Sequence, residues 1–213
     1  MICHLLMKTL APDAVNSDVD ALTGLLNRRG LEVRAKELAG DHTHRRVDVM
    51  MAVIDLDRFK LINDTHGHEA GDRVLIAVAA TLTGASGSSA LVARIGGEEF
   101  VVVELGGPTD AQRFGDALTE SIRSAPCGVT ASVGVTTATM SSAEDTAFYT
   151  RLDGIIGRAD RAMYDAKRAG GNRCRQIATG QLASDGRTDP ILVEQVPKPP
   201  TTGHVGTEPT PAG

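Results

Sequence analysis

Apolar and polar residues recur along this chain with two different periods, which together predict a layered domain of helices and strands. Segments in which apolar residues recur every three or four positions predict helices. These segments are 27–38, 59–65, 69–82, 109–123 and 152–169. Runs of apolar and β-branched residues predict strands. These runs are 47–56, 90–95, 99–105, 129–137 and 174–177.

Two of the predicted strands end in acidic residues. The run 47–56 is almost continuously apolar, which indicates a central strand, and it ends in Asp55-Leu56-Asp57. Gly96 and Gly97 separate the runs 90–95 and 99–105 and predict a tight hairpin turn. That turn is followed at once by Glu98 and Glu99.

Length and proline content divide the chain into one domain and two end segments. The 213 residues correspond to one domain. Six of the nine prolines fall in the last 24 residues, where no periodic pattern continues. We therefore expect a short extension over residues 1–19, a folded domain over 20–177 and a proline-rich, disordered tail over 178–213.

Composition narrows the class of protein. The net charge is −5 and only 3% of residues are aromatic, so neither counterion release nor base stacking favours a nucleic-acid partner. The N-terminal apolar stretch is too short for a membrane span and lacks a signal-peptide cleavage pattern. The three cysteines form no CxxC pair. We expect a cytoplasmic protein without membrane insertion.

The acidic strand ends are candidate ligands for a divalent cation. Asp55 and Asp57 lie on one face of an extended segment, and the Leu56 carbonyl points sideways between them. Adjacent carboxylates such as Glu98 and Glu99 repel each other unless a cation offsets their charge. Carboxylate and carbonyl oxygens suit Mg²⁺, which predicts phosphoryl or nucleotidyl transfer if the two segments meet. Taken alone, the aspartates also fit a solvated loop.

The segment 59–72 offers groups that suit a nucleotide. Lys60 can bring positive charge to a triphosphate, and Asn63 and Asp72 have the donors and acceptors that read a guanine edge. His66 and His68 are two residues apart and would not share a helix face, so they are poor metal ligands. Lys167 and Arg168 suit either a triphosphate or the C-terminal dipole of their helix. Neither a GxxxxGK[ST] nor a GxGxxG motif is present.

Five sequence blocks in order carry a family resemblance. They are DALTGLLNRRG at 20–30, DLDRFKLINDTHGHEAGD at 55–72, ARIGGEEF at 93–100, VTASVGV at 129–135 and ADRAMYDAKRAGGNR at 159–173. Together they resemble the GGDEF family, the catalytic domain of diguanylate cyclases, over about residues 20–177.

The resemblance implies an α+β fold with a central, mostly antiparallel sheet flanked by helices, similar to nucleotidyl cyclases and polymerase palms. It implies condensation of two GTP into cyclic di-GMP with release of two pyrophosphates, by two domains that face each other as a homodimer. It also implies Mg²⁺, two ions per GTP, with Mn²⁺ as a substitute.

The resemblance further assigns roles to matching positions. Asp55, the Leu56 carbonyl, Glu98 and Glu99 match the metal ligands. Glu98 also matches the acceptor of the 3′-hydroxyl proton, and Lys60 the residue that stabilises the transition state. The positions that match substrate-binding residues are Asn63, His68, Asp72, Gly96, Gly97 and Lys167.

Two positions depart from the family pattern. Gly171 stands where family members often carry an arginine, so a triphosphate contact is lost unless Arg168 or Arg173 replaces it. The RxxD motif of product inhibition would begin at Gly87 and end at Ala90, so that inhibitory site is expected to be absent.

Three functions remain to be separated. An active cyclase is favoured by the intact site residues, and a GTP-binding regulatory module without catalysis is the main alternative. A Mg²⁺-dependent nucleotidase that needs no dimer is the third.

Overall fold

Five helices and five strands make up the described part of the chain, which comprises residues 17–40, 47–140 and 145–177 of a computed structural model. The helices are α1 (Arg28–Gly40), α2 (Phe59–His66), α3 (His68–Ala85), α4 (Pro108–Ser124) and α5 (Asp145–Arg168). The strands are β1 (Val47–Leu56), β2 (Leu91–Arg94), β3 (Glu99–Leu105), β4 (Ala131–Met140) and β5 (Arg173–Ile177). The expected tail, and residues 1–16 of the expected extension, lie outside the described residues.

Every predicted element is present, and two of the boundaries that differ from the prediction have a structural explanation. Helix α5 begins at Asp145, seven residues before the predicted start, where threonine and aromatic residues weaken the helical signal and burial of Phe148 supplies the stabilisation. Strand β4 runs to Met140 because it pairs with β1 along its whole length, from Leu56↔Ala131 to Val47↔Met140.

The strands form one sheet in the order β2-β3-β1-β4-β5. The pairs β2/β3, β3/β1 and β1/β4 are antiparallel, and only β4/β5 is parallel. The expectation of a mostly antiparallel central sheet is confirmed. Strand β1 is central, so its two neighbours bring their own ends to the acidic end of β1.

Both faces of β1 are buried, which explains its unbroken apolar sequence. Alternate residues face two separate cores. One core joins β1 to α3 and α4, through Met50, Ala52, Ile54 and Leu56. The other joins β1 to α1 and α5, through Val49, Met51 and Val53. Asp55 and Asp57 follow the second set in register and therefore face the side of the sheet that α5 covers.

Helix α5 lies unusually close to the sheet at one position. A Cβ built on Gly134 of β4 would lie 2.0 Å from the carbonyl oxygen of Ala159 and 2.1 Å from the amide nitrogen of Met163. Glycine therefore lets the backbone of α5 rest directly on β4. Lys167 follows Met163 by one helical turn and is carried to the end of β1.

The segment before α1 packs on the edge of the sheet at β2. Leu26 bridges to Val19 and to Ala93. The Asn27 side chain caps α1 by accepting a hydrogen bond from the Gly30 amide at 2.9 Å, and its Nδ2 donates to the Ser17 carbonyl at 2.7 Å. Among the described helices, none is long and apolar enough to cross a membrane.

Candidate active site

The acidic end of β1 and the β2–β3 hairpin meet, which is the condition on which the predicted cation site depended. Asp55 lies directly opposite Glu99 in the β1/β3 register, and the Leu56 amide donates to the Glu98 carbonyl oxygen at 3.3 Å. Asp55 is 6% exposed, whereas the two glutamates are half-buried. Strand pairing alone therefore collects three carboxylates at one edge of the fold.

A lysine from α5 faces this carboxylate group. The Nζ of Lys167 lies 2.6 Å from Oδ1 of Asp55. This ammonium is the charged partner of the buried Oδ1, for which the described residues offer no further hydrogen-bond donor. An ion pair of this kind offsets the cost of burying the Asp55 charge and leaves its oxygen able to bind another donor or a cation.

The surroundings of Glu98 disfavour the charged form of its carboxyl group. Burial raises the pKa of Glu98, and the neighbouring charges of Asp55 and Glu99 raise it further, while Lys167 opposes them. The carboxyl of Glu98 is therefore more basic than an ordinary glutamate. A carboxylate of raised basicity is a better proton acceptor at neutral pH.

The donor atoms fit a magnesium ion whose coordination is completed by other molecules. Asp55, Glu98, Glu99 and the Leu56 carbonyl offer only oxygens, and Asp55 Oδ1 is a buried oxygen without a hydrogen-bond partner in the described residues. Within residues 17–40, 47–140 and 145–177, no three histidine, cysteine or acidic side chains are already spaced to hold a metal. Mg²⁺ usually takes one or two carboxylates together with water and substrate phosphates, so this set suits it.

The predicted nucleotide-reading residues gather on the α2–α3 pair. A Cβ on Gly71 would lie 2.0 Å from Oδ1 of Asn63, so the absence of a side chain at Gly71 gives Asn63 its place. Asp72 follows Gly71 directly and is exposed, as are Lys60 and His68. The sequence thus predicted the grouping of these residues, whereas Gly71 had not been expected to take part.

The two hairpin glycines differ in what surrounds them. A Cβ on Gly96 would lie 2.3 Å from Oε2 of Glu99, so the Glu99 carboxylate already fills the space beside Gly96. Beside Gly97 there is nothing within 4 Å. Of the two positions expected to leave room for a nucleotide, only Gly97 borders open space in the described residues.

Arg94 was missed by the sequence reasoning, although it holds the hairpin turn. Its Nη2 donates to the Gly97 carbonyl at 2.8 Å, and its Nη1 pairs with the Asp20 carboxylate at 3.0 Å. Asp20 in turn accepts hydrogen bonds from the amide and hydroxyl of Thr23. Both residues lie in the quoted blocks, but a separation of 74 positions gives no local signal that they pair.

Asp57 shares the face of Asp55 as predicted, yet it is engaged with protein groups. Its carboxylate accepts hydrogen bonds from the hydroxyls of Thr130 and Ser132, each at 2.7 Å, and from the Asn172 amide at 2.8 Å. The alternative of a solvated loop at this position is wrong for Asp57.

The two arginines considered as replacements at Gly171 have other contacts. The Nε of Arg173 donates to the Gly171 carbonyl at 3.0 Å. The Arg168 guanidinium lies over the Tyr164 ring, 6.0 Å from its centroid. Gly171 itself has a φ of +71°, in the left-handed region that favours glycine.

Comparison with known proteins gives a consistent result. The family model described as "Diguanylate cyclase, GGDEF domain" matches residues 17–173. The diguanylate cyclase DgcZ of Escherichia coli strain K12 is 38% identical over 168 residues, which is 76% of this chain and 54% of DgcZ. DgcP of Pseudomonas aeruginosa is 37% identical over 165 residues, which is 72% of this chain and 23% of DgcP. The chain thus spans about half of DgcZ and a quarter of DgcP.

Solved structures with the same fold include diguanylate cyclases. The diguanylate cyclase SiaD of P. aeruginosa, in complex with its activator SiaC, matches with a TM-score of 0.63 and 34% identity over 82% of this chain and 67% of SiaD. The active GGEEF domain of a diguanylate cyclase from Vibrio cholerae matches with a TM-score of 0.59 and 30% identity, over 73% of this chain and 99% of that domain.

Proposed function

Because this chain belongs to the GGDEF family of diguanylate cyclase domains, we propose that it condenses two GTP molecules into cyclic di-GMP. We place this activity in residues 20–177 and, since GTP is a cytoplasmic nucleotide, in the cytoplasm. The proposal rests on one observation. Asp55 lies beside Glu98 and Glu99, and the ammonium of Lys167 contacts Asp55. Such a site combines cation ligands with a group that binds phosphate, which nucleotidyl transfer requires.

The proposed reaction consists of two matched displacements. The 3′-hydroxyl oxygen of one GTP attacks the α-phosphorus of the other, a new P–O bond forms, and the α–β phosphoanhydride bond breaks to release pyrophosphate. The hydroxyl proton goes to the carboxylate of Glu98. The same step with the roles reversed closes the ring.

The remaining site residues bind and orient the substrate. Asn63 and Asp72 contact the guanine edge, Gly97 leaves space at the turn, and Lys60 stabilises charge on the phosphates as they react. His68, at the start of α3, completes the substrate contacts. Asp55, the Leu56 carbonyl, Glu98 and Glu99 would hold Mg²⁺, which would supply charge neutralisation at the phosphates, and Mn²⁺ would be able to replace it.

Lys167 has two successive partners in this proposal. Without nucleotide, its ammonium neutralises the buried Asp55 carboxylate. With nucleotide bound, the same ammonium contacts the triphosphate. A lysine suits this exchange because it is a point charge on a flexible four-carbon stem.

A single domain holds one GTP in this proposal, so catalysis needs two copies that face each other. Specific activity is therefore expected to fall on dilution, because the active dimer dissociates. A nucleotidase acting on one GTP would keep constant specific activity. Initial rates measured over a hundredfold range of protein concentration separate the two reactions.

The decisive experiment is incubation of the purified chain with GTP and MgCl₂, with the product identified by its mass. We expect cyclic di-GMP and pyrophosphate, and a loss of activity in Glu98→Ala of about a hundredfold or more. Glu37→Ala is the matched control, because Glu37 is an exposed glutamate that pairs with Arg34 on α1. A folded, dimeric wild-type protein that forms no cyclic di-GMP would contradict the proposal.

A non-catalytic GTP-binding module is the second candidate, and Gly171 is the observation that favours it. Without an arginine there, binding loses one charge-assisted contact, worth about 1.5–3 kcal/mol. A regulatory module would bind GTP, measured by calorimetry, and yield no product at any protein concentration.

A further inference from the structure

We propose that Asp57 is a positioning residue, which holds the turn after α5 on the end of β1 and thereby fixes the location of Lys167. The proposal deepens the function given above and rests on it. Asp55 and Asp57 are two residues apart on the same face of β1, and both hold the same end of α5. Asp55 does so through the Lys167 ammonium, and Asp57 through the backbone that follows the helix.

The Asp57 carboxylate is fully engaged on one side of the sheet. Oδ2 accepts from Thr130 Oγ1 and from the Asn172 amide, and Oδ1 accepts from Ser132 Oγ. The Asp57 amide also donates to the Thr130 carbonyl at 2.8 Å. Hydrogen bonds to a charged acceptor are about twice as strong as those between neutral groups, so these contacts join three segments firmly.

The turn after α5 adopts a costly conformation that the Asp57 carboxylate stabilises. Asn172 has a φ of +49°, which is uncommon for a residue with a side chain. Its amide is the one that donates to Asp57. A Cβ on Gly171 would lie 2.8 Å from all three atoms of the Asp57 carboxyl group, so glycine lets the turn close onto the carboxylate.

The same turn is hydrogen-bonded to the last residues of the helix. The Gly170 amide donates to the Lys167 carbonyl at 3.1 Å, and the Gly171 amide donates to the Ala166 carbonyl at 3.1 Å. Asp57 is therefore linked through Asn172 and Gly171 to the backbone that carries Lys167. A flexible side chain reaches a fixed target more often when its backbone is held in place.

This arrangement accounts for the glycine at position 171. A side chain there would have a left-handed backbone and would press on the Asp57 carboxyl group, so the clamped turn disfavours the arginine that family members often carry. In this chain the triphosphate contact therefore depends more heavily on Lys167, and Asp57 controls where that lysine is.

The test uses Asp57→Asn, alone and combined with Lys167→Ala. The dissociation constant for GTP is measured by calorimetry without turnover, in Ca²⁺ in place of Mg²⁺. We expect Asp57→Asn to raise the dissociation constant about tenfold in the wild-type background and less than about twofold in Lys167→Ala, since residues that act through one another are not additive. An equal effect in both backgrounds, or none in either, would overturn the proposal.

Asp48→Asn is the matched control. Asp48 also lies on β1 and accepts a hydrogen bond from a β4 threonine, Thr139, at 2.7 Å, but at the opposite end of the strand. This variant is expected to bind GTP as the wild type does. Should Asp57→Asn fail to fold, Thr130→Val removes one donor to Asp57 with little change in shape and is expected to shift binding in the same direction.

Amide hydrogen exchange provides a readout that needs neither GTP nor catalysis. We expect the peptide spanning residues 166–173 to exchange at least about tenfold faster in Asp57→Asn and at the wild-type rate in Asp48→Asn. An unchanged rate in Asp57→Asn would refute the clamp. If the wild type made no cyclic di-GMP, the proposed function would fail while exchange and GTP binding still tested the clamp.

Discussion

Glu98 is held in a place where its charge is unfavourable. Burial and the charges of Asp55 and Glu99 give this carboxyl a higher pKa in the folded protein than in the unfolded chain. The folded state therefore binds more protons between these two pKa values, and the free energy of unfolding falls as the pH rises through that window. Above that window the full decrease in the free energy of unfolding is present.

Removing the charge should therefore stabilise the fold. In metal-free buffer at pH 7.5 we expect Glu98→Gln to raise the free energy of unfolding by about 0.3–1 kcal/mol, a small gain because solvent screens a half-exposed group. The gain should shrink as the pH falls and vanish near pH 3, below the pKa of about 4.3 of an unfolded glutamate. Thermal unfolding at the two pH values measures it, with Glu37→Gln as the control. Lower stability of Glu98→Gln at pH 7.5 would mean that the charge is favourable there.

Gly171 allows a sharp test against the family pattern. Arginine at this position would face both a left-handed backbone and the Asp57 carboxyl group 2.8 Å from its Cβ. We expect Gly171→Arg to lower the free energy of unfolding by about 1–3 kcal/mol and to weaken GTP binding, although it restores the common family residue. Urea unfolding and calorimetry measure both effects. Tighter GTP binding in this variant would show that the turn can open at no cost.

At the scale of elements, the β2–β3 hairpin depends on a contact from outside the sheet. Burial raises the pKa of Asp20, yet hydrogen bonds from Thr23 and from Arg94 outweigh that effect and bring the pKa below its usual range. The charged Asp20 carboxylate thus holds Arg94, and Arg94 holds the Gly97 carbonyl. The Asp20–Arg94 ion pair therefore positions Glu98 and Glu99, which follow the turn.

Loss of Arg94 should therefore affect chemistry more than substrate affinity. We expect Arg94→Ala to reduce kcat for cyclic di-GMP formation about tenfold to a hundredfold and to lower the free energy of unfolding by about 1–2 kcal/mol. Arg113→Ala is the control, since Arg113 forms an exposed ion pair with Asp110 on α4. Steady-state rates and urea unfolding distinguish the effects. A kcat equal to that of the control would show that the turn holds its position without Arg94.

Hydrophobic periodicity was sufficient to predict the helices and strands, because each of these elements buries either one apolar face or both of its faces. The continuous apolar run of β1 indicated a central strand, and both of its faces are indeed covered. Boundaries were less predictable where tertiary contacts decide them. Strand β4 extends to Met140 because it pairs with β1 over that whole length. No local feature of the sequence indicates this.

The residues of the candidate site could be named from the sequence, but the contacts between them could not. Sequence blocks identified Asp55, Glu98 and Lys167, and β pairing explains why the first two meet. The contact of Lys167 with Asp55 depends on how closely α5 approaches Gly134, which follows from packing. The hydrogen bonds of Asp57 and the Arg94–Asp20 pair join residues more than 70 positions apart, a distance over which sequence periodicity carries no information.

At the scale of the whole molecule, the acidic side chain of Glu104 lies where the RxxD motif, which is expected to be absent from this chain, would begin. The Gly87 amide donates to Oε2 of Glu104 at 3.4 Å, and a Cβ on Gly87 would lie 2.9 Å from Oε1. A cyclic dinucleotide carries two phosphate charges, and the Glu104 carboxylate repels them. The surface that would have to bind the product therefore disfavours it.

Micromolar cyclic di-GMP is accordingly expected to change the initial rate by less than about twofold. The measurement is a rate assay with product added at the start. A double variant, Gly87→Arg with Ala90→Asp, serves as the comparison and should become sensitive to product. Strong inhibition of the wild type that disappears after substitutions at 87–90 would contradict this expectation.

The strand order has a consequence for anyone who builds fusion proteins from this domain. The segment at 17–27 joins the edge strand β2 beside the hairpin, whereas Ile177 ends the opposite edge strand, β5. The two edge strands, β2 and β5, are four strand spacings apart, which is about 19 Å. A sensor fused before residue 17 would transmit its movement to β2, the strand that carries Arg94. A fluorescent reporter fused after residue 177 would transmit its movement through β5 to the turn that Asp57 holds. Input grafted at one end is therefore expected to tune turnover, and cargo grafted at the other to tune nucleotide affinity.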